Sequence, residues 1–149
     1  MAGSKSNYLE NKLLNHALGS CIYTPPSSVY IGLHTGANAL NDAGNFSSEV
    51  STDSTSYCRV YINNTSGDMG WTVATDGTKC NSCTLTFSTA TSDWTTTATG
   101  GWITHAGIYD CQTVGSGNLL FWSELELSKP VTCGDTIKIA AGAIIITDN

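Results

Sequence analysis

The sequence predicts a mainly β chain: an antiparallel β-sandwich or jelly-roll-like domain with one N-terminal amphipathic helix. Three observations predict it. Short runs of period-two alternation recur along the chain. Gly, Asn and Asp turn signals separate them every ten residues or so, and a single stretch carries helical spacing. With 149 residues there is room for one domain with a real core. Only 12% of residues are charged, while 21 Thr and 17 Ser are present. That balance suits exposed sheet faces, where Thr packs well on the pleat. A hydrophobic share of 40% at net charge −6 describes a folded chain rather than a disordered one.

The helix is expected from Asn7 to Gly19. Asn7 offers an N-cap, and Glu10 three residues on completes a capping box. Leu9, Leu13, Leu14, Ala17 and Leu18 share one face, and Gly19 supplies a left-handed stop. The stripe Leu9, Leu13, Ala17 and Leu18 is the candidate docking surface of the helix, toward its own sheet or a neighbour. Residues 1–24 therefore read as an arm with a helix, and residues 25–149 as a single sandwich domain.

Thr24-Pro25-Pro26 must be extended. Val29, Ile31 and Leu33 then alternate with Tyr30, Gly32 and His34 as a half-buried strand. Residues 34–56 lose periodicity and read as a long loop of the kind that often serves as a contact arm. Strand signals return at Tyr57–Ile62, Trp71–Ala74, Thr84–Ser88, Gly101–Tyr109 and Asn118–Leu125. Turns are expected at Gly67-Asp68, Asp76-Gly77 and Gly115-Ser116-Gly117, and a Thr/Ser-rich stretch runs from Thr89 to Thr99. After Val131 and the turn at Cys133-Gly134-Asp135, two short strands around Ile137 to Ile139 and Ala143–Thr147 close the chain.

Charge narrows the function classes. The six basic residues (Lys5, Lys12, Arg59, Lys79, Lys129, Lys138) lie scattered, which argues against nucleic acid and against an anionic membrane surface. No run approaches the length of a membrane span, and the polar Met1-Ala2-Gly3-Ser4-Lys5 start does not read as a signal peptide. Assembly in a cytoplasm is the expectation.

Chemistry has few footholds. Cysteines stand at Cys21, Cys58, Cys80, Cys83, Cys111 and Cys133, an even set that permits fifteen pairings. Cys80-x-x-Cys83 lies between a turn and a Thr-rich strand rather than at a helix N-terminus, so redox tuning of its thiols has no support. Zinc would need two further ligands, and no second close Cys/His pair supplies them. The preferred reading is structural thiols, or disulfides formed once the protein leaves a reducing cell. His16, His34 and His105 lack a Gly-x-Ser-x-Gly partner motif, and His105 reads as an ordinary sheet residue. Asp68, Asp76, Asp110 and Asp135 sit beside turn residues, where Asp bonds its own backbone. Sequons at Asn45, Asn63 and Asn64 read as coincidences of a polar chain. No catalytic residue, cofactor or metal is expected. The aromatics, Trp71, Trp94, Trp102 and Trp122 among them, read mainly as core, with a carbohydrate or partner face as the sharper alternative.

Several runs carry a resemblance: Ser6-Asn7-Tyr8-Leu9-Glu10-Asn11-Lys12-Leu13-Leu14-Asn15-His16-Ala17-Leu18-Gly19, Val29-Tyr30-Ile31-Gly32-Leu33-His34-Thr35, Thr104-His105-Ala106-Gly107-Ile108-Tyr109-Asp110, Gly117-Asn118-Leu119-Leu120-Phe121-Trp122 and Gly134-Asp135-Thr136-Ile137. They resemble small tailed-bacteriophage virion proteins, often labelled tail fibre proteins. The likeness covers both ends of the chain, and residues 36–100 depart from it most. It implies a non-enzymatic structural protein of the virion, assembled in the bacterial host cytoplasm. The chain shows neither repeats nor a trimerisation stalk, which favours a capsid decoration (cement) subunit over a tail fibre or tail-tip subunit. A carbohydrate- or host-binding module is the further alternative. The implied partners are other copies of the chain, with a trimer favoured, and the major capsid protein or other virion proteins.

Overall fold

The computed structural model describes residues 2–36, 40–44, 46–64, 69–95 and 101–148. In chain order the elements are β1 (Ala2–Lys5), α1 (Asn7–Ala17), β2 (Ser28–Thr35), β3 (Val60–Asn63), β4 (Thr78–Cys80), β5 (Leu85–Thr86), β6 (Ile103–Tyr109), β7 (Leu119–Lys129), β8 (Lys138–Ile139) and β9 (Ile145–Thr147). The fold is mainly β, as the sequence predicts. A seven-stranded sheet of order β3-β2-β6-β7-β1-β9-β4 packs with a two-stranded sheet, β5-β8. All pairings are antiparallel except β1 with β9. The expected Gly67-Asp68 turn and part of the Thr89–Thr99 stretch lie outside the described residues, as do Asn45, Thr65 and Ser66 of the sequons.

Strand alternation divides the central strands between two faces. On one face Val29, Ile31, Leu33, Ala106, Ile108 and Leu120 join Phe87, Trp94 and Ile144 in the main core. On the other, Tyr109 and Leu119 join Leu40 in a smaller cluster, with Phe46 and Trp122 packed against it. Leu40 and Phe46 come from the long 34–56 segment, which is therefore not a free contact arm. It folds back on β2: Thr35 N–H donates to Ser48 O (2.8 Å), Val50 N–H donates to Leu33 O (3.0 Å), and His34 bridges Glu49. Leu40, Ser48 and Val50 are buried. Its aperiodic sequence hid a lid over the second face.

The N-terminus also differs from expectation. Residues 2–5 form a strand within the sheet, between β7 and β9, rather than an arm outside it. The helix cap is Ser6 and not Asn7: Ser6 Oγ accepts from Leu9 N–H at 3.3 Å. Ser6 is preferred because it serves two elements at once. Its N–H donates to Leu120 O at 2.9 Å, and its hydroxyl donates to Leu119 O, which fixes the strand-to-helix junction on β7. The helix ends at Ala17, with Gly19 at φ +79° supplying the left-handed turn beyond it. Of the candidate docking stripe, Leu9 is 4% exposed and Leu13 packs on the main core, whereas Ala17 and Leu18 are exposed to solvent. The stripe breaks because α1 leaves the sheet surface after its first turns.

Other departures are smaller. Trp71–Ala74 yields one isolated bridge, Trp71 with Asn81, in place of a strand, because Thr72 uses its N–H and hydroxyl to hold the neighbouring Cys80 backbone. The strand in that region is β4, which follows the Asp76-Gly77 turn.

Two outcomes check this account. Deleting residues 1–5 removes the strand joining β7 to β9, so circular dichroism of the purified variant is expected to show loss of cooperative unfolding. Leu9→Ala should cost about 2–5 kcal/mol in urea denaturation, and Leu18→Ala should stay within about 0.5 kcal/mol of the parent chain.

Candidate functional site

Among the described residues, a group of bonded titratable side chains lies at the 34–56 lid. Arg59 is the only arginine in the chain. Its Nε and one terminal nitrogen each donate to a different Glu49 oxygen at 2.7 Å, a fork-to-fork pair whose two side chains have no solvent exposure. The other terminal nitrogen donates to Cys111 O (2.7 Å) and Ser116 O (3.0 Å). The guanidinium lies over the Tyr109 ring, 3.7 Å from its centroid. Tyr57 donates to Glu49 Oε1 at 3.2 Å and accepts from Leu33 N–H at 2.8 Å. That last bond takes over where β3 stops pairing β2, after Ile31 opposite Val60.

His34 completes the group. Its Nε2 lies 2.7 Å from Tyr109 Oη and its Nδ1 2.9 Å from Ser48 Oγ, so a neutral imidazole can satisfy both, donating at one and accepting at the other. Burial first, and then the Arg59 charge, lower its pKa to about 3. Burial, and secondarily Glu49, raise the Tyr109 phenol, and the same pair of causes raises Tyr57 well above its ordinary value. Two glycines make room for the arrangement. Gly32 and Gly107 face each other across β2 and β6. A Cβ on Gly32 would stand 2.7 Å from Glu49 Oε1, and one on Gly107 would crowd Leu119, Tyr109 and Leu40. The cluster is closed: its groups satisfy one another, and its five side-chain members belong to none of the surface clefts described below.

The residues singled out from sequence are dispersed. All six cysteines are free thiols, with Cys21, Cys58 and Cys133 exposed. Cys80 lies near Thr72, the two side chains 3.6 Å apart, and Cys133 donates to Thr91 O. Among the described residues no group of three or more His, Cys, Asp or Glu is placed to hold a metal ion. His105 sits in β6 opposite Glu124, with Thr104 Oγ1 2.8 Å from its Nδ1. Burial lowers its pKa and Glu124 opposes the shift. Asp110 and Asp135 bond nearby backbone N–H groups, as their turn positions imply. The tryptophans do not share a surface: Trp71 and Trp94 are core, and Trp102 is 56% exposed. Sequence reasoning missed Glu49 and Arg59. The usable signals were the lone arginine, its same-face spacing from Tyr57, and two glycines inside strand patterns.

The surface carries apolar clefts. One, about 700 Å3, runs between the end of β7 and the β8 region, lined by Leu125, Leu127, Val131, Ile137 and Ile139. A second, about 410 Å3, opens beside β3 at Tyr61, Met69 and Leu85. A third, about 240 Å3, lies under α1. Leu14, Leu18 and Ile22 stand exposed at the far end of the helix.

Comparison with known proteins supplies what geometry does not. The family described as "Podophage GP4 fiber I protein gp80" matches residues 4–147. The chain belongs to this family. No curated protein matches the chain. As a fibre I family member it is a structural protein of a phage virion, in line with the resemblance read from its sequence. The match runs through residues 36–100 as well, so the lid and the Glu49–Arg59 pair fall within the family region.

Two measurements test the buried cluster. Arg59→Met strands a buried carboxylate and should cost about 3–5 kcal/mol, with Glu49→Gln added to it recovering part of the loss. Unfolded His34 titrates near its ordinary value of 6.5, and folded His34 near about 3. Between those values the unfolded chain binds a proton that the folded chain refuses. The His34 contribution to stability is thus complete above about pH 6.5 and falls as pH drops toward 3, by up to about 1.4 kcal/mol per unit. Urea titrations at pH 7.5, 6 and 5 should show this slope, and His34→Gln should flatten it.

Proposed function

We propose that the chain is a non-enzymatic structural subunit of the phage tail-fibre apparatus, in preference to the capsid decoration subunit favoured from sequence. The observation that carries this reading is the fibre I family match across residues 4–147. From sequence, the lack of repeats and of a trimerisation stalk favours decoration over fibre. The fibre reading accepts a compact β unit as one module of a larger assembly.

The non-enzymatic part draws support from where the titratable groups lie. Glu49, Arg59, Tyr57, His34 and Tyr109 bond each other, the lid and the backbone. They cross-link a fold instead of facing a substrate. Self-association belongs to the same proposal. The outer strand β3 pairs with β2 alone in the seven-stranded sheet, whereas the far side of β4 is met by Thr72 and Thr75. β3 (Val60-Tyr61-Ile62-Asn63) carries none of the Lys or Pro residues that guard exposed edges. The trimer expected above is the state to test, and exposed Cys21, Cys58 and Cys133 are the thiols available for bridges between neighbours after lysis.

Quantitative mass spectrometry of separated tail and capsid fractions is expected to place this protein with the tail, at fibre stoichiometry. Capsid-lattice copy numbers in tailless heads would return the decoration role. Sedimentation equilibrium at micromolar concentration is expected to show an oligomer, and a strict monomer there would remove the self-association part.

A further inference from the structure

Two strand edges border the groove beside β3. In the β2–β3 ladder Asn64 N–H donates to Ser27 O at 3.1 Å, and Ile62 and Val60 stand opposite Val29 and Ile31. An antiparallel ladder turns alternate residues toward the partner strand. Val60 and Ile62 therefore face β2, while the N–H and C=O of Tyr61 and Asn63 point away from it. In the second sheet Phe87 N–H donates to Ile137 O at 3.0 Å, and Leu85 stands opposite Ile139. By the same alternation Thr84 and Thr86 turn their backbone groups away from β8. All four of these residues line the groove of about 410 Å3. Among the described residues, none of their outward backbone groups has a hydrogen-bond partner.

The groove is closed at one end by serines. Ser56 Oγ donates to Thr89 O at 2.5 Å, Thr91 N–H donates to Ser56 Oγ at 3.2 Å, and Ser88 Oγ donates to Ser56 O. Beyond that tie β3 and β5 belong to separate sheets and do not pair. Paired strands lie about 4.8 Å apart and packed sheets about 10 Å apart, so one added strand spans the step between two such edges. Its two sides would both meet main-chain donors and acceptors. The lining carries no charged side chain, so a charged guest would lose water there without gaining a partner. A guest bonded on both sides must also have both of its own edges free. That excludes an edge strand of a folded sheet, β3 of a second copy included. Strands β1 and β9 already have neighbours on both sides in the seven-stranded sheet, so they do not supply it.

We propose that this groove takes an uncharged, extended segment of another polypeptide, a tail or linker, as an added strand between β3 and β5. The guest runs along the four residues of β3, bonding Tyr61 and Asn63 on one side and Thr84 and Thr86 on the other. The proposal stands whether or not the chain self-associates, which sedimentation reads separately.

The test uses the full chain labelled with 15N and a neutral probe, the peptide acetyl-Thr-Val-Thr-Val-Thr-amide. The backbone amide protons of Tyr61, Asn63, Thr84 and Thr86 are expected to move downfield together, saturably, at millimolar concentration or below. Two versions of the probe, N-methylated at one or the other set of alternate residues, each lose the donors of one edge and should bind about tenfold more weakly. Tyr61→Pro removes an outward N–H and keeps the groups of Val60 and Ile62 that face β2, so it should weaken the probe about fivefold. Should that variant fail to fold, Thr86→Pro on the other wall and the methylated probes still decide. Four amides unmoved by the probe overturn the proposal, as does equal binding of the methylated versions. Shifts confined to Tyr61 and Asn63 would overturn it too, leaving a plain open edge. So would shifts of that pair on raising the concentration of the protein alone, with no further change on adding the probe, since the occupant would then be a second copy.

Discussion

Everything on the second face of the sheet depends on the Glu49–Arg59 ion pair. Two charges without solvent exposure are costly to bury, and a bidentate bond alone does not assure a net gain over apolar residues of the same shape. The structure meets that cost by giving nearly every remaining donor and acceptor a partner. Arg59 also reaches the carbonyls of Cys111 and Ser116 and the face of Tyr109, while Glu49 also accepts from Tyr57. The pair is therefore better understood as a fastener than as a source of stability. It holds the lid, the approach to β3 and the turn after β6 in one relative position, and a shift of any of the three would expose an unpaired charge.

The same logic accounts for the glycines and the histidine. Glu49 can approach β2 only because Gly32 has no Cβ, and Tyr109 and Leu40 can close over β6 only because Gly107 has none. His34 remains neutral because burial and Arg59 both oppose its charge, so it can bridge Tyr109 and Ser48 without adding a third buried ion. A charged group in a sealed region thus selected its neighbours. A virion protein that must survive outside a cell gains from such a lock, since the fold loosens only when several bonds break together.

Much of the fold was legible in the sequence, and the reasons are local. Val29, Ile31 and Leu33 alternate with Tyr30, Gly32 and His34 along β2, while the runs 103–109 and 119–125 read as strands because they are short, mostly apolar and bounded by turn signals. The cap was misread by one residue. Asn7 and Ser6 are both good caps, and the choice between them rests on the carbonyls of Leu119 and Leu120, which lie more than a hundred positions away in the chain. The candidate helix stripe was half right, because amphipathic spacing reports what a helix could bury and not where the sheet beneath it ends.

Composition, strand periodicity and the run of familiar segments determined by themselves that this is a mainly β phage structural protein with one short helix. Those properties are set by neighbours along the chain, or by the sequence as a whole. Tertiary structure alone decided that residues 2–5 enter the sheet between β7 and β9, that the 34–56 segment is a lid, and that Glu49 meets Arg59. Each of these joins segments far apart in sequence, through contacts for which no periodicity exists. Their partners are selected by shape, by charge and by the demand that buried polar groups be satisfied, and these act only once the chain has closed on itself.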